Sequence, residues 1–168
     1  MLLQEEAVKT IFPEMPESAK VWIYQSDRLM TTEEVEFINE KAEEFVAKWE
    51  SHGNKLKAEF TILYNLFLIF VVDENQKEAS GCSIDKSVHF VKEMQTATGL
   101  HFFDRTIIVY LDADNNPNFS ALSGLKTAVQ SGKIDNNTLI FNNLCDTINK
   151  VRTEWIVPAG SSWLARFF

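Results

Sequence analysis

Ser80-Gly81-Cys82-Ser83-Ile84-Asp85 is the segment of this 168-residue chain best equipped for chemistry. It follows a polar stretch, 73–79, and opens a run in which Ile84, Val88, Val91 and Met94 recur every three or four residues as far as Gly99, the spacing of a helix of about four turns. A helix start leaves backbone N–H groups unpaired and carries partial positive charge, so it can seat an anion or favour a thiolate on Cys82. Gly81 would let a ligand or another backbone approach closely. The same residues also make an ordinary cap: Ser80 or Ser83 at the N-cap, Asp85 complementing the dipole, and Cys82 a small buried apolar side chain.

Other groups belong in the same neighbourhood. His52, Lys55 and Lys57 follow one helix, while Lys86, His89 and Arg105 come from the next helix and strand. A thiol-dependent acyl or group-transfer site would use Cys82 as nucleophile, His52 or His89 as base and Asp85 to orient it. Arg105, within Phe102-Phe103-Asp104-Arg105, can grip a carboxylate or phosphate with two N–H groups, or else pair with Asp104 or Asp85. Ser83-Ile84-Asp85-Lys86 fits S-x-x-K, but Ser123-Gly124-Leu125-Lys126 fits it equally and neither has the companion motifs of a serine acyl enzyme. Cys82, Cys145, His52, His89 and His101 show neither C-x-x-C nor H-x-x-x-H spacing, so no metal site is expected. Asp112-Ala113-Asp114-Asn115-Asn116 begins like a calcium loop, but Pro117 stands where glycine is required and Ser123 where a bidentate glutamate belongs, so an Asx-rich turn is the better reading.

Composition narrows the classes further. The net charge of −8 is concentrated in residues 1–50, which hold twelve acids and five bases; this disfavours a general nucleic-acid or anionic-membrane surface. The longest apolar run, 66–72, has seven residues, far short of the roughly 20 that span a bilayer. Two cysteines and no signal-like N-terminus imply free thiols in a cytoplasmic setting. The 45 % apolar fraction, with thirteen Phe, suffices for one packed domain over 1–168.

Residues 1–19, with Pro13 and Pro16, read as an N-terminal arm, and Val21-Trp22-Ile23-Tyr24 as a strand. Thr31-Thr32-Glu33-Glu34 is a capping-box signature, after which Val35, Ile38, Ala42, Phe45, Val46 and Trp49 keep helical spacing until His52-Gly53, a glycine suited to a left-handed helix end. The runs 56–63 and 66–72 flank Tyr64-Asn65 as an antiparallel hairpin whose second strand is buried on both faces. With a strand at 106–111, the order over 20–111 is βαββαβ, the split βαβ pattern of a ferredoxin-like α+β sandwich with helices on one face of an antiparallel sheet. Residues 112–168 form a C-terminal α/β extension, with helices expected at 119–130 and 146–155 and a strand at 138–144. The aromatic tail 155–168 must be buried, against its own sheet or in a homodimer.

The combination of Trp49-x-x-His52-Gly53-x-x-Leu56, Ala79-Ser80-Gly81-Cys82-Ser83-Ile84-Asp85-Lys86-Ser87-Val88, Phe103-Asp104-Arg105, Phe141-Asn142-Asn143-Leu144 and the tail 155–168 resembles a family of short bacterial proteins that go by the name ABC transporter ATPase. The likeness spans most of the chain and brings no established activity with it. Its name implies ATP hydrolysis, which needs G-x-x-x-x-G-K-[ST] to wrap phosphates. The nearest segment, Gly124-Leu125-Lys126-Thr127, has a residue between glycine and lysine and no glycine five residues earlier, so a P-loop ATPase is not expected.

Two functional expectations result. The favoured one is a cytosolic, non-catalytic domain without cofactor that binds a small anionic ligand or a protein partner at the 80–85 helix start, through Ser80, Gly81, Ser83, Lys86 and Arg105. The alternative is the thiol enzyme built on Cys82.

Overall fold

The signal at Thr31 is realised in full. Thr31 Oγ1 accepts from Glu34 N–H at 3.1 Å while Glu34 Oε1 accepts from Thr31 N–H at 2.9 Å, the reciprocal capping box that starts a 17-residue helix. Arg28 holds both oxygens of the same carboxylate at 2.8 Å. In this computed structural model, which describes residues 2–75 and 77–168, the elements in chain order are α1 (Leu2–Lys9), β1 (Lys20–Gln25), α2 (Thr32–Lys48), β2 (Glu50–Ser51), β3 (Asn54–Lys55), β4 (Lys57–Leu63), β5 (Phe67–Asp73), α3 (Gly81–Thr98), β6 (Ile107–Leu111), β7 (Pro117–Ala121), α4 (Leu125–Gln130), β8 (Leu139–Phe141), α5 (Ile148–Glu154) and β9 (Ile156–Pro158). The chain is α+β with antiparallel sheets, in two compact units.

The first unit takes residues 11–103 and 146–149. Its sheet has the order β1-β5-β4, and every residue of β5 is buried, as the unbroken apolar run requires. The hairpin joining β4 to β5 turns at Tyr64 and Asn65, both with positive φ (58° and 51°), the requirement of a type I′ turn. Trp22, Tyr24, Ala58, Phe60, Ile62, Leu68, Phe70 and Val72 project from one face and pack with Ile38 and Ala42 of α2 and Phe90, Val91 and Met94 of α3. Both helices therefore cover a single face of this sheet.

Three expectations change. The strand expected at 106–111 as the fourth of a ferredoxin-like core spans Ile107–Leu111 and lies instead in the second unit, where β7 takes one of its edges and β8 the other. The outer edge of β1 is met by residues 146–148: Lys20 bridges to Thr147, and Val21 N–H donates to Asp146 O at 2.9 Å. Secondly, α2 stops at Lys48 with Trp49 as its C-cap, because His52 and Gly53 (φ 50° and 80°) turn the short hairpin β2–β3 rather than ending the helix. Thirdly, the helix expected at 119–130 begins only near 122, since 117–121 is a strand. The N-terminal arm also contains a helix, α1, that its composition did not announce.

The second unit, from the N-terminal residues up to Thr10, Asp104–Cys145 and Lys150–Phe168, carries the antiparallel sheet β7-β6-β8-β9. Asp112 closes the β6–β7 turn: Oδ1 accepts from the amides of Asp114 and Asn116 at 2.9 Å, and Oδ2 accepts from Asn118 Nδ2 at 3.0 Å. The Asn116 amide, then the Asn118 side chain and the Asp114 amide, hold this carboxyl below its usual range. Leu125, Ala128, Ile134, Ile140 and Ala159 form the core, and Leu164 of the tail is fully buried among them. Trp163 stays 42 % exposed, with Arg166 against its ring.

Hydrogen bonding to Arg28, then to the Thr31 amide, lowers the Glu34 carboxyl from 4.5 to about 2. A depressed carboxyl stabilises the fold fully above its unfolded value and loses that contribution as pH falls through its folded one. Glu34→Gln should therefore cost about 1 kcal/mol at pH 7, discounted for the exposure of Arg28. Urea denaturation should show the gap to the parent closing as pH drops from 4.5 towards 2. A gap that does not change with pH would remove the carboxylate from the cap's energetics.

Candidate functional site

The start of α3 is closed on itself by two serines. Ser80 is the N-cap, and its Oγ accepts from Ser83 N–H at 3.1 Å. Ser83 Oγ accepts from Ser80 N–H at 2.6 Å and donates to Ser80 O at 2.8 Å. Ile84 N–H donates to Ser80 O at 2.9 Å. Ser83 thus serves as the capping box's third-position partner, a place usually held by Glu or Gln, and it is fully buried. Both its amide and its hydroxyl are spent on the cap.

Two further bonds pin this turn in the fold. Trp49 Nε1–H, at the end of α2, donates to Ser83 O at 2.8 Å. One turn along α3, Ser87 Oγ donates to Ile84 O and lies 3.2 Å from the Tyr24 hydroxyl, whose pKa burial pushes up against the opposing effect of that contact. The C-terminal end of α2 therefore meets the N-terminal end of α3, and the helices run antiparallel.

The remaining sequence candidates of the first unit lie along α3 and at the β2–β3 turn. Cys82 is exposed and Cys145 is buried, both as free thiols. Gly81, Asp85 and Lys86 are exposed along the first turns of α3. A Cβ built on Gly81 would meet open space and its φ is not positive, so the glycine is needed neither for the backbone nor for a neighbour. His52 is exposed at the β2–β3 turn. His89 stands seven residues beyond Cys82, about 10 Å of helix rise, whereas a general base must come within roughly 3 Å. Its Nε2 is 3.1 Å from Glu93 Oε1, the carboxylate one turn further from Cys82. Arg105 is exposed ahead of β6 and belongs to the second unit. Among the described residues no group of three or more His, Cys, Asp or Glu side chains is placed to hold a metal ion, and no helix is long and apolar enough to cross a membrane.

Two of the candidates, Lys86 and His89, come together in a groove of about 390 Å³ between α2 and α3. Beneath it the half-buried Phe45 stacks on Phe90 at 4.8 Å and 20° and meets Trp49 at 5.1 Å, while Phe90, Trp49 and Met94 are themselves buried in the core. The groove's rim carries Lys41, Glu44 and Lys48 from α2 and Lys86, His89 and Glu93 from α3. The α2 side escaped the sequence reading because Phe45 and Trp49 keep the spacing of core residues. A usable signal was there: Lys41 and Lys48 are seven apart, hence on one helix face, with Phe45 and Trp49 beside them.

Ser80→Ala should cost about 1 kcal/mol in chemical denaturation, whereas Gly81→Ala should be neutral or stabilise by up to about 1 kcal/mol. A stability loss at Gly81→Ala equal to that at Ser80→Ala would mean the turn needs its glycine. A disulfide reagent should titrate one thiol in the native protein and two in denaturant, with Cys82→Ser removing the native one; two fast native thiols would contradict the burial of Cys145. Set against protein-family models, curated proteins and solved structures, the chain matches none significantly, and what the groove can hold follows from its own residues.

Proposed function

We propose that this chain is a non-catalytic binding module whose ligand is an anion held in the α2–α3 groove, beside the helix start at 80–85. One observation carries the proposal: in a chain of net charge −8, three lysines (Lys41, Lys48 and Lys86) outnumber the two glutamates (Glu44 and Glu93) around one groove beside the half-buried Phe45. The volume is within the range of small-ligand sites, and most of the groove's accessible lining residues are charged rather than apolar, which suits a polar ligand. Commitment of Ser83 to the cap moves the anion's contacts from that serine to the lysine side chains. Separation of Cys82 from His89 favours binding over thiol catalysis. The order β1-β5-β4 with both helices on one face supports reading the first unit as a ferredoxin-like core without its fourth strand, and the two free cysteines suit a cytosolic setting.

A thermal-shift screen of carboxylated and phosphorylated metabolites tests the proposal. At a hundredfold excess over Kd a ligand adds about 2.7 kcal/mol, which for a chain of this length raises Tm by roughly 5–10 °C. The shift should shrink in the Lys48→Gln, Lys86→Gln double variant. If no anion shifts the parent, or the double variant shifts equally, the groove is not the anion's site.

A further inference from the structure

β4 ends the strand order β1-β5-β4, so one of its sides has no neighbouring strand. Among the described residues, 58–62 form no backbone hydrogen bond outside this sheet, and alternate residues of an antiparallel strand turn both N–H and C=O away from their partner. Sheet edges are ordinarily blunted by proline, bulges, short length or charge. β4 is seven residues long, has no proline or glycine, and is charged only at Lys57 and Glu59; Lys57 Nζ is drawn to Asp73 of the adjoining β5, at 3.6 Å. Residues 58–62 are all half-buried, so the edge is open to contact. One flank of α2 overhangs it. The Tyr24–Ser87 contact sets α3 over β1, which leaves α2 over β4, and the flank of α2 turned to α3 carries Lys41 and Lys48. At about 100° per residue the opposite flank holds Val35, Asn39 and Val46, then Glu36 and Glu43. Val35 and Val46 are half-buried and both glutamates are exposed. Among the described residues none of Glu36, Glu43 and Glu59 has an ion pair.

We infer that β4 takes up an extended, lysine- or arginine-rich segment of a partner protein as an added strand. Main-chain bonds to the open edge supply the pairing, as in other cases of strand addition. On the α2 side, long basic side chains lay their methylene stems on Val35, Val46 and Phe60 while their charged ends reach Glu36 and Glu43; on the other face Glu59 meets a basic neighbour. Charge selects this occupant over a second copy, because β4 paired with β4 across a two-fold axis would set Glu36 and Glu43 of one α2 beside those of the other. The pairing uses none of the residues of the α2–α3 groove and is independent of the anion proposed there.

The test titrates the isotope-labelled protein with end-capped peptides as long as β4: alternating lysine and valine, the same with glutamate for lysine, and the lysine peptide with proline at its centre. Amide hydrogen exchange across β4 is the readout, with sedimentation of the free protein. We expect the lysine–valine peptide to slow exchange at alternate residues of 58–62 and the glutamate and proline peptides to leave it unchanged. Glu36→Gln with Glu43→Gln should weaken the lysine peptide about three- to tenfold, as the loss of two exposed charge pairs implies. Failure of the lysine peptide to bind at millimolar concentration would overturn the inference. Binding that leaves 58–62 unprotected would reduce the contact to charge attraction on α2 and overturn strand addition. Equal protection by the lysine and glutamate peptides, or a lysine-peptide affinity unmoved by the double variant, would overturn the basic partner. A free protein that sediments as a dimer with alternate β4 amides already slow would make the occupant a second copy.

Discussion

The indole N–H of Trp49 is buried in the first unit, where it cannot reach water, and its bond to the Ser83 carbonyl governs how the two helices meet. A buried donor left unpaired costs about 1–3 kcal/mol, so the pairing selects one register of α2 on α3. Trp49 is also the residue at which α2 ends, with its own backbone N–H donating to Val46 O. The same residue terminates one helix and positions the start of the next. Its ring packs edge-on against Trp22 of β1 and Phe70 of β5, tying the helix junction to the sheet.

The groove follows from that junction. Antiparallel helices over a common sheet face leave a furrow on their outer side, and the Phe45–Phe90 stack closes its floor. Because the capping serines use their own hydrogen-bonding groups on each other, the chemistry of the neighbourhood passes outward to Lys48 and Lys86. Cap and groove are thus complementary uses of one helix start: the first consumes backbone polarity, and the second leaves side-chain charge around the half-buried Phe45.

In the second unit a single carboxylate plays the comparable part. Asp112 gathers two amides and one side-chain amide in the turn after β6, which returns the chain as β7 in register with Ile107–Leu111. Once β7 occupies one edge of β6 and β8 the other, no edge of β6 is left for another sheet. The turn thus fixes one neighbour of β6, while the other, β8, comes from a separate part of the chain.

The sequence by itself determined what depends on near neighbours: the Thr31–Glu34 capping box, the helical spacing of α2 and α3, the Tyr64-Asn65 turn, the Asx turn at Asp112 and the full burial of β5. These rest on contacts within about four residues or on unbroken runs, where residue type and geometry correspond closely. Only the tertiary structure decided the sheet that 107–111 joins, the replacement of a helix end by the β2–β3 turn at His52 and Gly53, and the partly open position of Phe45. Strand partners are chosen by edges supplied from distant parts of the chain, and a residue with core spacing becomes a groove floor only when the neighbouring helix leaves it uncovered. The 80–85 segment shows both halves: its cap was legible in Ser80 and Ser83, while the groove alongside it required residues 41–49 to be brought there through Trp49.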